Sequence, residues 1–157
     1  MVNKVVIVTG ASSGIGMAAA EEFIKAGCRV VIAARRTEKL TELKNRLLQD
    51  NSDDRILPVS CDVSVESDCK ALIEKTIEKF GQIDILVNNA GISMRALFKD
   101  LDLSVIRELM NVNFWGTVYC TKYALPHILK QKGSVVGVIS IAGYKGLPAR
   151  TGYSASK

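Results

Sequence analysis

The chain has 157 residues, of which 48% are hydrophobic and 24% charged, and its formal net charge at pH 7 is +5. A chain of that length can close one hydrophobic core, and the composition excludes the disordered and low-complexity classes. The lysines are scattered along helix-like segments among glutamates, with no basic cluster interleaved with aromatics, so nucleic acid is not an expected partner.

Cys28, Cys61, Cys69 and Cys120 form no CxxC pair, and His127 is the only histidine. No metal is expected, nor a disulfide framework; reduced thiols in a cytoplasmic protein are. The apolar runs are of strand length, short of the roughly 20 residues of a membrane span, and no signal peptide is read at the start.

Residues 4–9 are a β-branched run that predicts a first strand, closed by Gly10. Ile15, Ala18, Ala19, Phe23 and Ala26 then keep helical spacing until Gly27 stops them. Residues 29–34 read as a second buried strand, and Leu40, Leu43 and Leu47 mark one face of a second helix. Residues 55–60 form a third strand, with Pro58 placing it at an edge or a strand end. Leu72, Ile73, Ile77 and Phe80 line a third helix, ended by Gly81. Residues 83–87 and 134–141 are the fourth and fifth strands, separated by a helix from 103 to about 125. Strands without in/out alternation, separated by helices, predict an α/β domain: a doubly wound parallel sheet with helices on both faces. Its ligand crevice should lie at the carboxyl ends of the strands. Residues 1–157 read as one domain.

The turn Thr9-Gly10-Ala11-Ser12-Ser13-Gly14-Ile15-Gly16 joins the first strand to the first helix. Bare backbone N–H groups at a helix N-terminus favour a pyrophosphate. At the end of the second strand a carboxylate would select NAD, whereas an arginine suits the 2′-phosphate of NADP. Arg35 and Arg36 stand there without an acid, so NADP is expected over NAD, although Arg36 could equally be a solvated surface arginine. Asn88 and Asn89, before Ala90 and Gly91, are poor strand residues whose amides need partners. Asn113 sits on an apolar stripe with Ile106, Met110, Thr117, Cys120 and Ala124, where an amide is either a satisfied core residue or a functional one. Tyr153 and Lys157, at i and i+4, share a helix face, and Ser140 precedes Tyr153 by thirteen residues. A free phenol is a poor proton carrier at neutral pH, and a nearby ammonium favours its ionised form.

In this order, TGxxxGxG at 9–16, NNAG at 88–91, NxxG at 113–116, Ser140 and YxxxK at 153–157 resemble the short-chain dehydrogenase/reductase family over the whole chain. The resemblance implies a Rossmann-like fold and reversible hydride transfer between nicotinamide C4 and a carbonyl or secondary alcohol. Tyr153 would exchange a proton with the substrate oxygen, Ser140 would hydrogen-bond that oxygen, and Lys157 would favour the phenolate and hold the nicotinamide ribose. Asn113 would hold a water of the proton relay. Gly10, Ser12, Ser13, Gly14, Ile15 and Gly16 would surround the pyrophosphate, with Arg35 and Arg36 beyond them. Asp62 and Val63 would meet the adenine, with a helix N-cap as the alternative for Asp62. Asn89, Ala90 and Gly91 would reach the cofactor, as would Tyr153 and Lys157. The family's other NADP device, a basic residue just before the second fingerprint glycine, is absent because Ser13 stands there.

The family members nearest in wording (TGASSGIG, YSASK) act on hydroxysteroids and related ketones, which implies an apolar small-molecule substrate. Residues 93–98 and 144–150 would face it, with Met94, Leu97, Tyr144, Leu147 and Pro148 as an apolar wall or as ordinary loop packing. A hydrolase is excluded because no GxSxG surrounds Ser140. The rival reading is an NADP-binding fragment without turnover. Family members continue beyond YxxxK, so the 157-residue chain is expected to be truncated and to turn over poorly, with the full-length form a homodimer or homotetramer.

Overall fold

A computed structural model describes residues 1–47 and 53–157. The β-branched opening run forms β1 (Val5–Thr9), buried throughout. There follow α1 (Gly14–Lys25), β2 (Arg29–Ala34), α2 (Thr37–Leu47), β3 (Ile56–Ser60), α3 (Glu66–Phe80) and β4 (Ile85–Asn88). Then come α4 (Leu103–Leu109), a π-helical turn (Met110–Trp115), α5 (Gly116–Lys130), β5 (Ser134–Gly137), α6 (Ile141–Tyr144) and α7 (Thr151–Ser156).

The strands lie in the order β3-β2-β1-β4-β5, every pair parallel. The chain winds outward from β1 to β3, then returns to the other side of β1 with β4. The crevice of a doubly wound sheet opens at that reversal, over the carboxyl ends of β1 and β4. Alternate residues of β1 serve two cores. Val5 and Ile7 join Val31, Leu72, Leu86 and Cys120 on one face, while Val6 and Val8 join Ile24, Ile32 and Leu40 on the other. Burial on both faces is why these strands read as unbroken hydrophobic runs. Pro58 sits in β3, an edge strand, where a missing N–H is tolerated.

The first and third strands each start one residue late, at Val5 and Ile56, and three other elements depart further from the sequence expectation. The fifth strand ends at Gly137 rather than 141, because the Ser140 hydroxyl accepts the Ala142 N–H and starts a helix instead. The fourth strand starts at Ile85, two residues late, and includes Asn88. The helix expected from 103 to about 125 is broken by the π turn and runs on through Pro126 to Lys130. Burial of Ile128 against the first core outweighs the hydrogen bond that Pro126 removes.

Asp84, just before β4, is buried at the amino end of the sheet. Its carboxylate accepts Lys4 Nζ, the Val5 N–H and Gln82 Nε2, each within 2.8 Å. Burial alone would raise its pKa, but these three donors outweigh it and hold the carboxyl below the usual range. A depressed carboxylate stabilises the fold above its unfolded pKa of about 3.9 and loses that contribution as pH falls. Asp84→Asn should therefore cost roughly 1–3 kcal/mol at neutral pH. Its melting temperature should also fall less steeply than the wild type's on acidification, which calorimetry across that pH range checks.

Candidate active site

The site begins with the lacing between β1 and β4. Thr9 Oγ1 donates to Val87 O and accepts the N–H groups of Asn89 and Ala90. The Asn89 amide returns the tie, donating to Thr9 O at 2.9 Å and to Gly10 O at 3.3 Å. Gly10 has φ +65°, and a Cβ there would lie 2.8 Å from Ala90 Cα. A Cβ on Gly16 would lie 2.3 Å from Asn89 Nδ2 and 2.6 Å from Gly10 O. The first turn of α1 thus rests directly on the ends of β1 and β4. Ser13, its N-cap, makes no side-chain cap, which leaves the helix N-terminus to a ligand.

A cavity of about 350 Å³ opens over these strand ends. Gly10, Ser12, Ser13 and Ile15 line it from the glycine turn, and Ala34, Arg35 and Arg36 from the end of β2. Cys61, Asp62 and Val63 follow β3, residues 89–92 follow β4, and Val112 comes from the π turn. Four of the expected cofactor contacts are absent from this wall: Gly14, Gly16, Tyr153 and Lys157. Gly14 has open space around it, and Gly16 is consumed in the approach to Asn89 rather than facing the cavity. Asp62 is not the N-cap of α3, a position held by Val65. Its Oδ1 instead accepts the Ser64 N–H and hydroxyl, which fixes the loop against the cavity.

The positive charge at this cavity comes from the two arginines. Arg36 Nη2 donates to Ser12 Oγ at 2.9 Å and Ser13 Oγ at 3.2 Å, folding its guanidinium over the glycine turn. Arg35 faces Asp62 at 3.8 Å. A second hollow shares Ser12, Ser13 and Arg36 and continues along α2 past Lys39 and Arg46, with Glu42 between. The cavity therefore fits an adenosine-bearing dinucleotide: glycines let the backbone come close, a bare helix N-terminus faces it, and guanidinium groups flank it.

Cys61, on the cavity wall, is no nucleophile. Its hydrogen bond with Cys69 and its burial push its pKa far up. Cys69 is pushed up to about 12, chiefly by its hydrogen bond with Cys120. Thiols held neutral lack the thiolate that reactivity requires.

The remaining expected residues gather beside the Asn89–Gly91 seam, outside the cavity. Both N–H groups and one Oδ1 lone pair of the Asn113 amide are engaged: Oδ1 accepts the Ile92 N–H, and Nδ2 donates to Ile92 O and Ser156 Oγ. It lies within the π turn, a distortion frequent at functional sites. A Cβ on Gly91 would stand 3.1 Å from Lys157 Nζ and 3.2 Å from Asn113 Oδ1, so the ammonium and the amide converge on that bare Cα. Lys157 Nζ also donates to Val138 O at 3.0 Å. Ser140 caps α6, which packs on α7, the helix that carries Tyr153. The approach is close, since a Cβ on Gly143 would lie 2.4 Å from the Lys157 carbonyl carbon. Among the described residues, the Tyr153 hydroxyl has no protein partner, and Arg150 lies over its ring.

Of the expected apolar wall, Leu97, Tyr144 and Leu147 are exposed, and the Ala96 N–H donating to Ala149 O joins the two segments. Thr9 and Val138 belong to the site without having been expected, whereas Arg150 closes the 144–150 segment expected to face the substrate. Of the first two, Thr9 alone had a sequence signal, a hydroxyl where a strand meets its glycine turn.

A family profile described as short chain dehydrogenase matches residues 4–157. The chain is 44% identical over 155 residues to 11-beta-hydroxysteroid dehydrogenase-like 4A of Arabidopsis thaliana, covering 98% of this chain and 52% of that protein. It is 42% identical over 160 residues to dehydrogenase/reductase SDR family protein 7-like of Dictyostelium discoideum, covering 99% and 51%. The chain thus spans about half the length of the curated relatives it matches. Among solved structures, it superposes with TM-score 0.93 and 27% identity on an alcohol dehydrogenase from Thermococcus sibiricus complexed with 5-hydroxy-NADP, covering 98% of this chain and 65% of that one. A short-chain dehydrogenase/reductase from Burkholderia phymatum in complex with NAD gives TM-score 0.94 and 28% identity, covering 99% and 55%.

Proposed function

The chain belongs to the short-chain dehydrogenase family, and from that premise we propose that its site serves NADP-dependent oxidation and reduction between a secondary alcohol and a carbonyl. The observation that carries this reading is the convergence of Lys157 Nζ and Asn113 Oδ1 on Gly91, at the edge of a cavity cradled by the glycine turn. Gly10, Ser12, Ser13, Ile15, Arg35, Arg36 and residues 89–91 would hold the dinucleotide. When bound, its nicotinamide supplies or accepts the hydride.

The chain's own groups handle the proton and the oxygen. In reduction the Tyr153 hydroxyl gives its proton to the carbonyl oxygen, and in oxidation the phenolate takes it back. The Ser140 hydroxyl donates to the same oxygen and fixes its direction. The Lys157 ammonium, four residues beyond the tyrosine and held by Val138 O, balances the charge left on the phenol. Asn113 is a positioning residue that ties Ile92 to Ser156, and the second lone pair of its Oδ1 is free for a relay water beside Lys157.

The two similar structures hold an NADP analogue and NAD respectively, so the cofactor preference rests on this chain's own residues. No carboxylate ends β2, and Arg36 reaches back over the turn to Ser12 and Ser13. Its guanidinium thereby supplies charge where the expected basic neighbour of Gly14 is replaced by Ser13. Arg36→Ala should weaken NADPH binding by roughly 1.5–3 kcal/mol, tenfold or more, while leaving NADH within a factor of about two. Fluorescence titration of both cofactors checks this, and equal losses for the two would count against a 2′-phosphate contact.

The direct test is NADPH oxidation against a panel of apolar ketones and aldehydes, with cofactor binding measured in parallel. Turnover supports the proposal. Tight NADPH binding with no turnover across the panel would favour a dinucleotide-binding role, and absence of binding would defeat both.

A further inference from the structure

Arg150 belongs to none of the motifs, yet it touches both halves of the substrate side of the site. Its guanidinium carbon lies 5.7 Å from the centroid of the Tyr153 ring, within the range of a cation–π contact. Its Nη1 also donates to Ser93 Oγ. Ser93 lies in the segment that leaves β4, and the residue before Arg150 is tied to the same segment, since Ala149 O accepts the Ala96 N–H at 3.0 Å. Arg150 O in turn accepts the Ser154 N–H at 2.7 Å, so the arginine is joined to the first turn of α7.

Tyr153 lies in the first turn of α7, and what packs on its ring helps to aim its hydroxyl. A guanidinium stacked on one ring face restrains that ring and leaves its hydroxyl free. The planar fork can stack and donate to Ser93 at once, which a lysine ammonium cannot do with the same geometry.

We propose that Arg150 is a positioning residue for proton transfer: it clamps the Tyr153 ring and sets the 93–96 segment against it. The acid/base group and one wall of the substrate entrance are then aligned by a single side chain. This rests on the reading that Tyr153 transfers the proton.

Two measurements on the full chain test it. In NMR spectra the Arg150 Cδ protons should carry an upfield ring-current shift that vanishes in Tyr153→Leu and shrinks in Ser93→Ala, because losing the Ser93 acceptor releases the guanidinium. In kinetics, Arg150→Met should lower kcat about ten- to hundredfold, the scale of a misaligned reacting group. The NADPH Kd should stay within about twofold, because no cofactor contact has been removed. Arg150→Lys should recover little of the loss. If Arg150→Met does not fold, Ser93→Ala and Arg150→Lys carry both arms; if no carbonyl is turned over, the NMR arm decides alone. A wild-type spectrum without the shift, or an Arg150→Met protein with wild-type kcat, would overturn the clamp. Full activity in Tyr153→Phe would instead remove the proton-transfer reading and leave the ring-current result standing, so the two failures are distinguishable.

Discussion

Gly16→Ala should abolish useful dinucleotide binding and lower the melting temperature together. An alanine Cβ at this position would lie 2.3 Å from Asn89 Nδ2 and 2.6 Å from Gly10 O, both inside van der Waals contact. The amide cannot yield without losing its bonds to Thr9 O and Gly10 O, the ties that hold β4 to the glycine turn. Nor can the turn yield freely, because the Ala11 N–H is bonded to Ala33 O of β2 at 3.1 Å. The remaining relief is for α1 to lift off the strand ends, which carries its N-terminus away from the cavity.

Overpacking of this kind costs roughly 1–3 kcal/mol of stability, and each kcal/mol is about 2–4 °C in a domain of this size. Displacing the donors that face a pyrophosphate should weaken NADPH binding on the order of hundredfold, taking 1.5–3 kcal/mol per charge-assisted bond. Gly14→Ala is the control. A Cβ at Gly14 meets nothing within 4 Å, and only its φ of +59° is unfavourable, worth about 1–2 kcal/mol. It should fold and bind with a modest loss. If Gly16→Ala bound NADPH as tightly as Gly14→Ala, the close approach would not be what shapes the crevice.

The contrast between these glycines shows how far the residues could be read before the fold was known. The turn, the parallel sheet and the edge position of Pro58 follow from local composition and periodicity, and β2 falls on its expected residues, 29–34. The division of labour within the turn does not, because Gly16 is required by Asn89, which is distant in sequence. The π turn is likewise hidden. Ile106, Asn113, Cys120 and Ala124 keep helical spacing, and the break at Met110–Trp115 accompanies the bonds of Asn113 to Ile92 and Ser156. Pro126 argues locally for a helix end, but burial of Ile128 overrides it. Arg150 and Ser93 fall in the two segments expected to face the substrate, 144–150 and 93–98, but the bond between them, across 57 residues, carried no local signal. Local chemistry writes the motifs, and long-range contacts decide which atoms of each motif face a ligand.

Tyr153→Phe is the substitution with the largest expected effect on rate and the smallest on structure. Among the described residues the Tyr153 hydroxyl bonds to no protein group, whereas the hydroxyl of Tyr123 is taken by Glu66 at 2.7 Å. Removing the Tyr153 oxygen therefore breaks no bond that holds the fold. The phenylalanine ring keeps the face on which Arg150 stacks, so the geometry of α7 should survive. Loss of a positioned acid or base typically costs 10²–10⁴-fold, so carbonyl reduction should fall by about that factor while the NADPH Kd stays within about twofold. Ser140→Ala gives a less clean answer. The Ser140 hydroxyl also caps α6 by accepting the Ala142 N–H, so that variant should lose about 1 kcal/mol of stability along with rate. A difference in rate between wild type and Tyr153→Phe, at unchanged melting temperature and cofactor affinity, isolates the phenol as the proton carrier. Tyr153→Phe turning over at the wild-type rate would remove that role from Tyr153, leaving the cradle of glycines and arginines as a dinucleotide site in need of a different acid.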